Sequence, residues 1–562
     1  MSDQATENQN QGDDLRIGVF VCHCGSNIAG YLDVEDLAEY ASTLPGVVFT
    51  QRNLYTCSES GIAEIQHAIK ENRLNRVVVA SCSPRTHQPL FQSSCNEAGL
   101  NPYLFEMVNI RDQCSWVHMQ EREEGTQKAR ELIRMGVAKA AYLEPQVDIE
   151  ASVIPRALVI GGGVAGLSAA DAMAGMGLEV ILVEKAPELG GLLREINHLA
   201  PGGDRGIDRV TPLIESVIAN DNVTVHLSSE VSNVGGYIGN FEVSIRSIQG
   251  DVIEEKVGSI VVASGAVPFK PEGMFGYDGR RVITQMELEA QLQAGTFDAK
   301  NVVMIQCVGA RSPEREYCSR ICCMTAVKNA RLIKSLDPDA YVHILYRDMQ
   351  MYGAEKEQML WDARHEGVRF DVYRPKDPPI VTKDTVQFTR SLMGDCLEIP
   401  FDLVVLSTPL VASEDARTLA QMMRVDIDQY GFFLEAHVKL RPLDFATDGI
   451  FVCGSAHYPK TVEEAQAQGI GVAARVASIL FKDKLIMSAI VAEINPETCV
   501  GCKGCMDVCP YGAIHYVQEE NICEVNKILC KGCGACAATC PSQSVQLKGF
   551  NSRQMLSQIR AA

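Results

Sequence analysis

The chain has 562 residues with a formal net charge of −20 and 46% apolar residues, a length that accommodates about three or four domains. Its acidity excludes the basic footprint of a nucleic-acid binder, and no run approaches the eighteen or so apolar residues of a membrane span. Its 21 cysteines point to metal or redox work in an intracellular chain. The start lacks the basic and apolar stretches of a secretory signal, so a cytoplasmic location is expected.

Residues 1–15 are polar and acidic and read as a disordered tail. Residues 16–147 read as an α/β domain. RIGVFVCHCG is a strand running into a turn, RVVVASCSP is a second strand ending in a cysteine-bearing loop, and QKARELIRMGVAKAAYL is helical. The ends of parallel strands lie side by side, where ligands collect. Of six cysteines in this domain, Cys22, Cys24, Cys57 and Cys82 form the candidate set for a [4Fe–4S] cluster, with Cys95 and Cys114 besides. Free thiols are the alternative.

Next, ALVIGGGVAGLSAADAMAGMGLEVILVEK reads as strand, glycine turn, helix and strand. Gly161, Gly163 and Gly166 form G-x-G-x-x-G: one glycine for the turn, one for approach of a pyrophosphate, one for helix–strand packing. Val164 and Ala165 open the helix, whose N-terminus faces negative phosphates. Glu184 stands where an acid accepts a ribose hydroxyl, with Lys185 after it. Gly190 and Gly191 in ELGGLLRE, Ser264 and Gly265 in IVVASGAVP, and Gly454 in TDGIFVCGSA favour FAD over NAD. Ser455 occupies the place where an aspartate would reach the flavin ribitol. This FAD-binding domain is expected over residues 151–300 and 401–485.

A second strand–helix–strand unit, expected over 301–400, runs from NVVMIQCVGA to YVHILYRD. It lacks the glycine cradle. In its place Cys307, Cys318, Cys322 and Cys323 form C-x10-C-x3-C-C, read as a further [4Fe–4S] ligand set rather than buried thiols. Cys396 and Cys523 have no pattern and read as structural.

Residues 488–550 carry two C-x2-C-x2-C-x3-C-P runs: Cys499, Cys502, Cys505, Cys509 and Cys530, Cys533, Cys536, Cys540. This is the run of a two-cluster bacterial ferredoxin, in which the fourth cysteine crosses to the other cluster. One cluster is therefore assigned to Cys499, Cys502, Cys505 and Cys540, the other to Cys530, Cys533, Cys536 and Cys509. Two successive matches, each closed by proline, make zinc ribbons a poor alternative.

VCHCGSNIAG, VVVASCSPRTHQPLF, AGLNPYLFEMVNIRDQCSWVH and CVGARSPEREYCSRICCMTAVKNA resemble the heterodisulfide reductase A-subunit family, and the likeness covers almost the whole chain after residue 15. It implies an α/β fold: a thioredoxin-reductase-like FAD domain, a degenerate second Rossmann-like domain, an N-terminal α/β domain and an α+β two-cluster ferredoxin domain. It implies an oxidoreductase subunit that converts two-electron to one-electron transfer, with flavin-based bifurcation as an option. Partners would be the other subunits of the complex and an electron-donor module, namely a hydrogenase, a formate dehydrogenase or a NAD(P)H-linked module. Ferredoxin is a further candidate, and a homodimer is left open. By the same likeness Lys328 would approach the flavin N5. One departure stands out. Where long family members insert a second ferredoxin module after a segment like VSNVGGYIGNFEVSIR, this chain continues directly with SIQGDVIEEKVGSIVVASG. The rival readings are a non-catalytic cluster scaffold and a NAD(P)H oxidoreductase like the small subunit of glutamate synthase.

Overall fold

The computed structural model describes residues 15–390 and 394–562. The expected tail, apart from Leu15, lies outside them; Leu15 packs against the N-terminal core. The chain divides into two compact units, one from the N-terminal segment to Glu150 together with Ile486–Ala562, the other Ala151–Leu485.

In the first unit, strands Ile17–Cys22, Val47–Asn53, Arg76–Ser81 and Phe105–Asn109 form a parallel sheet in which the first strand lies between the second and third. The runs VFV and VVVA are buried on both faces, as a parallel strand covered by helices requires. Asp33 and Ser58 cap helices Val34–Ser42 and Glu59–Glu71 by accepting from the amides of Asp36 and Gly61. The ferredoxin segment belongs to this same unit. It comprises the hairpin Ile514–Val517/Ile522–Val525, the antiparallel pair Ala492–Ile494/Val545–Leu547 and two short helices.

The ferredoxin domain was expected to end at residue 550, and the chain continues as helix Ser552–Arg560. This helix packs against helix Arg122–Ala140 of the N-terminal domain. Ser557 Oγ donates to Ala138 O at 3.2 Å and Gln554 Nε2 to Tyr142 O at 2.9 Å, while the Lys139 ammonium lies 3.9 Å from the centre of the Phe550 ring.

In the second unit, a five-stranded parallel sheet runs in the order Ile450–Val452, Ser259–Val262, Arg156–Ile160, Glu179–Val183, Val223–His226. Helices Val164–Gly175 and Val462–Leu480 pack on it through a shared apolar core. A second five-stranded parallel sheet runs Val282–Thr284, Leu403–Leu406, Asn301–Ile305, Tyr341–Tyr346, Arg369–Val372. This corrects the expected boundaries of 300/301 and 400/401, which left residues 282–284 and 403–406 with the flavin sheet. Leu403–Leu406 pairs with both neighbours inside the second sheet, between Val282–Thr284 and Asn301–Ile305. Leu403 and Val405 point into the core on one face, and Val404 and Leu406 into that on the other. A strand apolar on both faces satisfies itself only between two helical layers.

Candidate functional site

The glycine turn sits between strand Arg156–Ile160 and helix Val164–Gly175. Gly161 has φ 108°, closed to most side chains. A Cβ on Gly166 would strike the Gly161 carbonyl, whereas one on Gly163 would meet nothing within 4 Å. The turn is thus tight below and open above, as a pyrophosphate cradle must be. Glu184 is held in place by the amides of Gly162 at 2.6 Å and Ala186 at 2.7 Å. Gly190 N–H donates to Gly162 O at 2.8 Å, and Gly191 lies against Gly163. Ser264 lies beneath Gly161, and its hydroxyl is buried without a partner, a polar atom that a bound cofactor would satisfy. Gly265 has φ 75°. Gly454 abuts Ala165, and its amide donates to Gln468 Oε1 at 3.0 Å. Lys185 is set apart: its exposed ammonium pairs with Asp415 at 3.1 Å.

The second nucleotide-type turn lines an open cavity through Cys307, Gly309, Ala310 and Ser312, with Arg347 opposite. A Cβ on Gly309 would strike the Phe269 ring. Cys307, at φ 61°, faces Arg347, Arg311 and Cys318. Cys322 and Cys323 open helix Cys322–Leu336. Burial pushes the Cys322 thiol far up and that of Cys323 up to about 11, and around both stand Cys307 and Cys318. The backbone contributes at close range, since Arg320 N–H donates to Cys318 Sγ at 3.3 Å. Burial opposes ionisation of Cys307, Cys322 and Cys323, and a bound metal is what would favour their thiolates.

Lys328 lies further along the same helix and is 7% exposed. Its ammonium donates to His198 O at 2.7 Å and forms an ion pair with Glu289, which is fully buried and accepts from Asn197 N–H at 3.0 Å. Burial pushes Lys328 down and Glu289 opposes that.

In the N-terminal domain the strand ends bring together Cys22, Cys24, Cys57 and Cys82. Burial raises the Cys57 thiol and its neighbours Cys22 and Cys24 raise it further; burial also raises Cys82, which has Arg111, Cys24 and Cys22 around it. Thr56 N–H donates to Cys22 Sγ at 3.5 Å. Cys95 is a core thiol that burial pushes up to about 12, and burial pushes Cys114 up to about 11; no other cysteine acts on either.

The ferredoxin segment forms two small cavities. The first is lined by Cys499, Cys502, Cys505 and Cys540, the second by Cys509, Cys530, Cys533 and Cys536. The fourth cysteine of each run thus crosses to the other cavity. Cys523, read as structural, is buried at the wall of the first, while Cys396 is exposed. Among the described residues, no three His, Cys, Asp or Glu side chains converge on a single metal ion; the thiolates of a cubane stand at separate corners.

A pyridine nucleotide-disulphide oxidoreductase model matches residues 155–469, and a 4Fe-4S binding domain model matches residues 492–515. The second CoB–CoM heterodisulfide reductase iron–sulfur A-subunit of Methanopyrus kandleri is 37% identical over 90% of this chain and 92% of its own length. The chain belongs to the heterodisulfide reductase A-subunit family. The H2:CoB–CoM heterodisulfide, ferredoxin reductase A-subunit of Methanothermobacter marburgensis is 37% identical, covering 91% of this chain and 92% of its own. The ferredoxin:CoB–CoM heterodisulfide reductase A-subunit of Methanosarcina mazei is 34% identical, covering 98% and 81%. The alignment with the M. kandleri relative spans 606 positions yet covers only 90% of this chain.

As a member of the heterodisulfide reductase A-subunit family, the chain is an oxidoreductase component of a multi-subunit complex and carries FAD and [4Fe–4S] clusters. Several residues at these sites have no motif to mark them. Glu289 sits in an ordinary helix, 39 positions from its lysine. Arg111 reaches Cys24 and Cys82 from after the fourth strand. Lys460 precedes helix Val462–Leu480 and is 5% exposed, with its ammonium over the Tyr458 ring and without a hydrogen-bond partner. Burial pushes it down to about 7. Among the described residues no helix is long and apolar enough to cross a membrane.

Proposed function

We propose that this chain is the electron hub of a cytoplasmic heterodisulfide-reductase-type complex, accepting electron pairs from a donor module and delivering single electrons to a disulfide-reducing arm. The observation that carries this reading is an open glycine cradle in one Rossmann-like domain beside a second in which four cysteines occupy the nucleotide place. Bound FAD would exchange electrons in pairs or singly, and cubanes exchange them singly.

The chain's own residues divide the work. The amides of Val164, Ala165 and Gly166 and the helix dipole behind them hold the pyrophosphate, and Glu184 accepts a ribose hydroxyl. On the family likeness, Lys328 Nζ presents its proton toward the flavin N5, and Glu289 sets how firmly that proton is held. The cysteine groups around Cys22, Cys307, Cys499 and Cys530 ligate four cubanes. Against self-sufficient NAD(P)H oxidation stands the run Cys307-Val308-Gly309-Ala310-Arg311, which lacks the G-x-G-x-x-G cradle. Against a mere cluster scaffold stands the open cradle with its orphaned Ser264 hydroxyl.

The donor is a hydrogenase, a formate dehydrogenase or a NAD(P)H-linked module. The M. marburgensis and M. mazei relatives are named for ferredoxin, yet this chain lacks the inserted ferredoxin module of long family members, in keeping with the 606-position alignment. It therefore passes electrons through its C-terminal pair and reduces free ferredoxin poorly, because one shared wire would short-circuit a split. The anaerobically purified protein should hold one FAD and about sixteen irons; iron near half that value would remove the Cys22 and Cys307 groups from the reading. In a reconstituted complex supplied with its donor, strict one-to-one coupling of ferredoxin reduction to disulfide reduction would overturn the short-form reading.

A further inference from the structure

The two halves of the ferredoxin segment are internal copies. Aligning Cys499 with Cys530 aligns Cys509 with Cys540, Tyr511 with Ser542 and Ala513 with Ser544. The two cavities are matched in cysteine exposure and in charge, while Cys523 lies in the wall of the first alone and Cys530 of the second accepts from the Ala492 amide at 3.4 Å. Cys505 and Cys536 are each 7% exposed, Cys502 and Cys533 are both exposed, and each wall carries one lysine, Lys503 in one and Lys531 in the other.

The donors to the crossing cysteines differ. Cys509 Sγ accepts from the Ala513 amide at 3.3 Å, and Ala513 has no side-chain donor to add. Cys540 Sγ has the Ser544 hydroxyl at 3.2 Å and the Ser542 hydroxyl at 3.5 Å, and Ser542 Oγ donates to Ser544 Oγ at 3.1 Å. Ser544 is 3% exposed, so its proton has no competing water. The two hydroxyls form a short relay, Ser542 to Ser544 to sulfur, in which each bond polarises the next.

Reduction of a cubane adds one electron, shared with its thiolates. A hydroxyl donating to a ligand sulfur stabilises that more negative state over the oxidised one, and hydrogen bonds to sulfur are among the factors that set cluster potential. We propose that the Ser542–Ser544 relay sets the cluster held by Cys499, Cys502, Cys505 and Cys540 at a higher reduction potential than its twin, so that an electron entering the ferredoxin segment comes to rest there. Ser542 acts through Ser544 as a positioning residue. The inference rests on the assignment of two clusters to this segment, and a count of iron separates the two.

The test is an anaerobic redox titration of the full-length protein, followed by electron paramagnetic resonance. The parent should show two split ferredoxin potentials. Ser542→Ala/Ser544→Ala should lower the higher one, moving the equilibrium between the clusters about tenfold, which for one electron is ~59 mV, and leave the other in place. Ser542→Ala alone should move it less. Ala513→Ser should raise the lower potential by supplying the missing donor. Unchanged potentials in the double variant with full iron content would overturn the inference while leaving the cluster assignment intact. If the double variant sheds a cluster, an unmoved potential in Ala513→Ser overturns it instead. A parent protein lacking the ferredoxin irons would sink the assignment and the inference together.

Discussion

Glu289→Gln isolates the buried cation of the second unit. The parent carboxylate is fully buried and pairs with Lys328, whose ammonium is 7% exposed. Glutamine keeps the size and can still accept from Asn197 N–H, but it removes the charge that offsets burial of the ammonium. Breaking a buried pair by removing one partner costs about 3–5 kcal/mol; the retained hydrogen bonds place this case near ~3 kcal/mol. In a unit of this size that is about 2 °C per kcal/mol, or a fall of ~6 °C at pH 7 in the unfolding transition reported by flavin fluorescence. The pH dependence has a definite sign. Burial already holds Lys328 below its ordinary value of 10.5, so the unfolded chain binds more protons and stability rises as pH climbs toward that value. Without Glu289 the lysine is pushed lower still, the rise begins at lower pH, and the deficit at pH 9 is smaller than at pH 7. Lys328→Met should be destabilising too, since it strands the carboxylate, and the double variant should recover much of the loss. An unmoved transition in Glu289→Gln, or a double variant equal to the sum of the singles, would refute the buried-pair reasoning.

Cys322→Ala/Cys323→Ala should retain FAD and the C-terminal pair but lose about a quarter of the iron, one cubane of four; full iron in the folded variant would make these thiols structural. Lys328→Ala should keep FAD bound and shift its reduction potential downward, since a cation beside the reduced ring is lost; identical potentials in a spectroelectrochemical titration would remove Lys328 from the flavin. Lys460→Met should stabilise the protein at and below neutral pH by an amount on the order of a few kcal/mol. Burial holds Lys460 near 7 against an ordinary 10.5, so the parent gains stability as pH rises from about 7 toward 10.5. A stability–pH curve equally steep in the variant would show that this lysine is not the group responsible.

Sequence alone determined the chemistry whose parts lie within a few residues of each other. Cysteines three apart, closed by proline, state a cubane site because the local turn places their sulfurs. G-x-G-x-x-G states a phosphate cradle because adjacent glycines make the turn and the helix start. The crossing of Cys509 and Cys540 between cavities was legible for the same reason, through the duplicated run. Other features depend on contacts between segments distant in sequence, and only the tertiary structure decided them. The strand at 403–406 reads as apolar wherever it is placed; its neighbours at 282–284 and 301–305 and the helices over both faces assign it to the second sheet. Helix 552–560 shows its purpose only against helix 122–140. Glu289 resembles any helical glutamate until folding buries it beside Lys328, and Arg111 resembles any loop arginine until it faces Cys24 and Cys82. Ser544 differs from Ala513 by one oxygen in the sequence, and folding sets that oxygen within hydrogen-bond reach of Cys540. Charge, burial and donor geometry are properties of the surroundings, and no local pattern of residues records them.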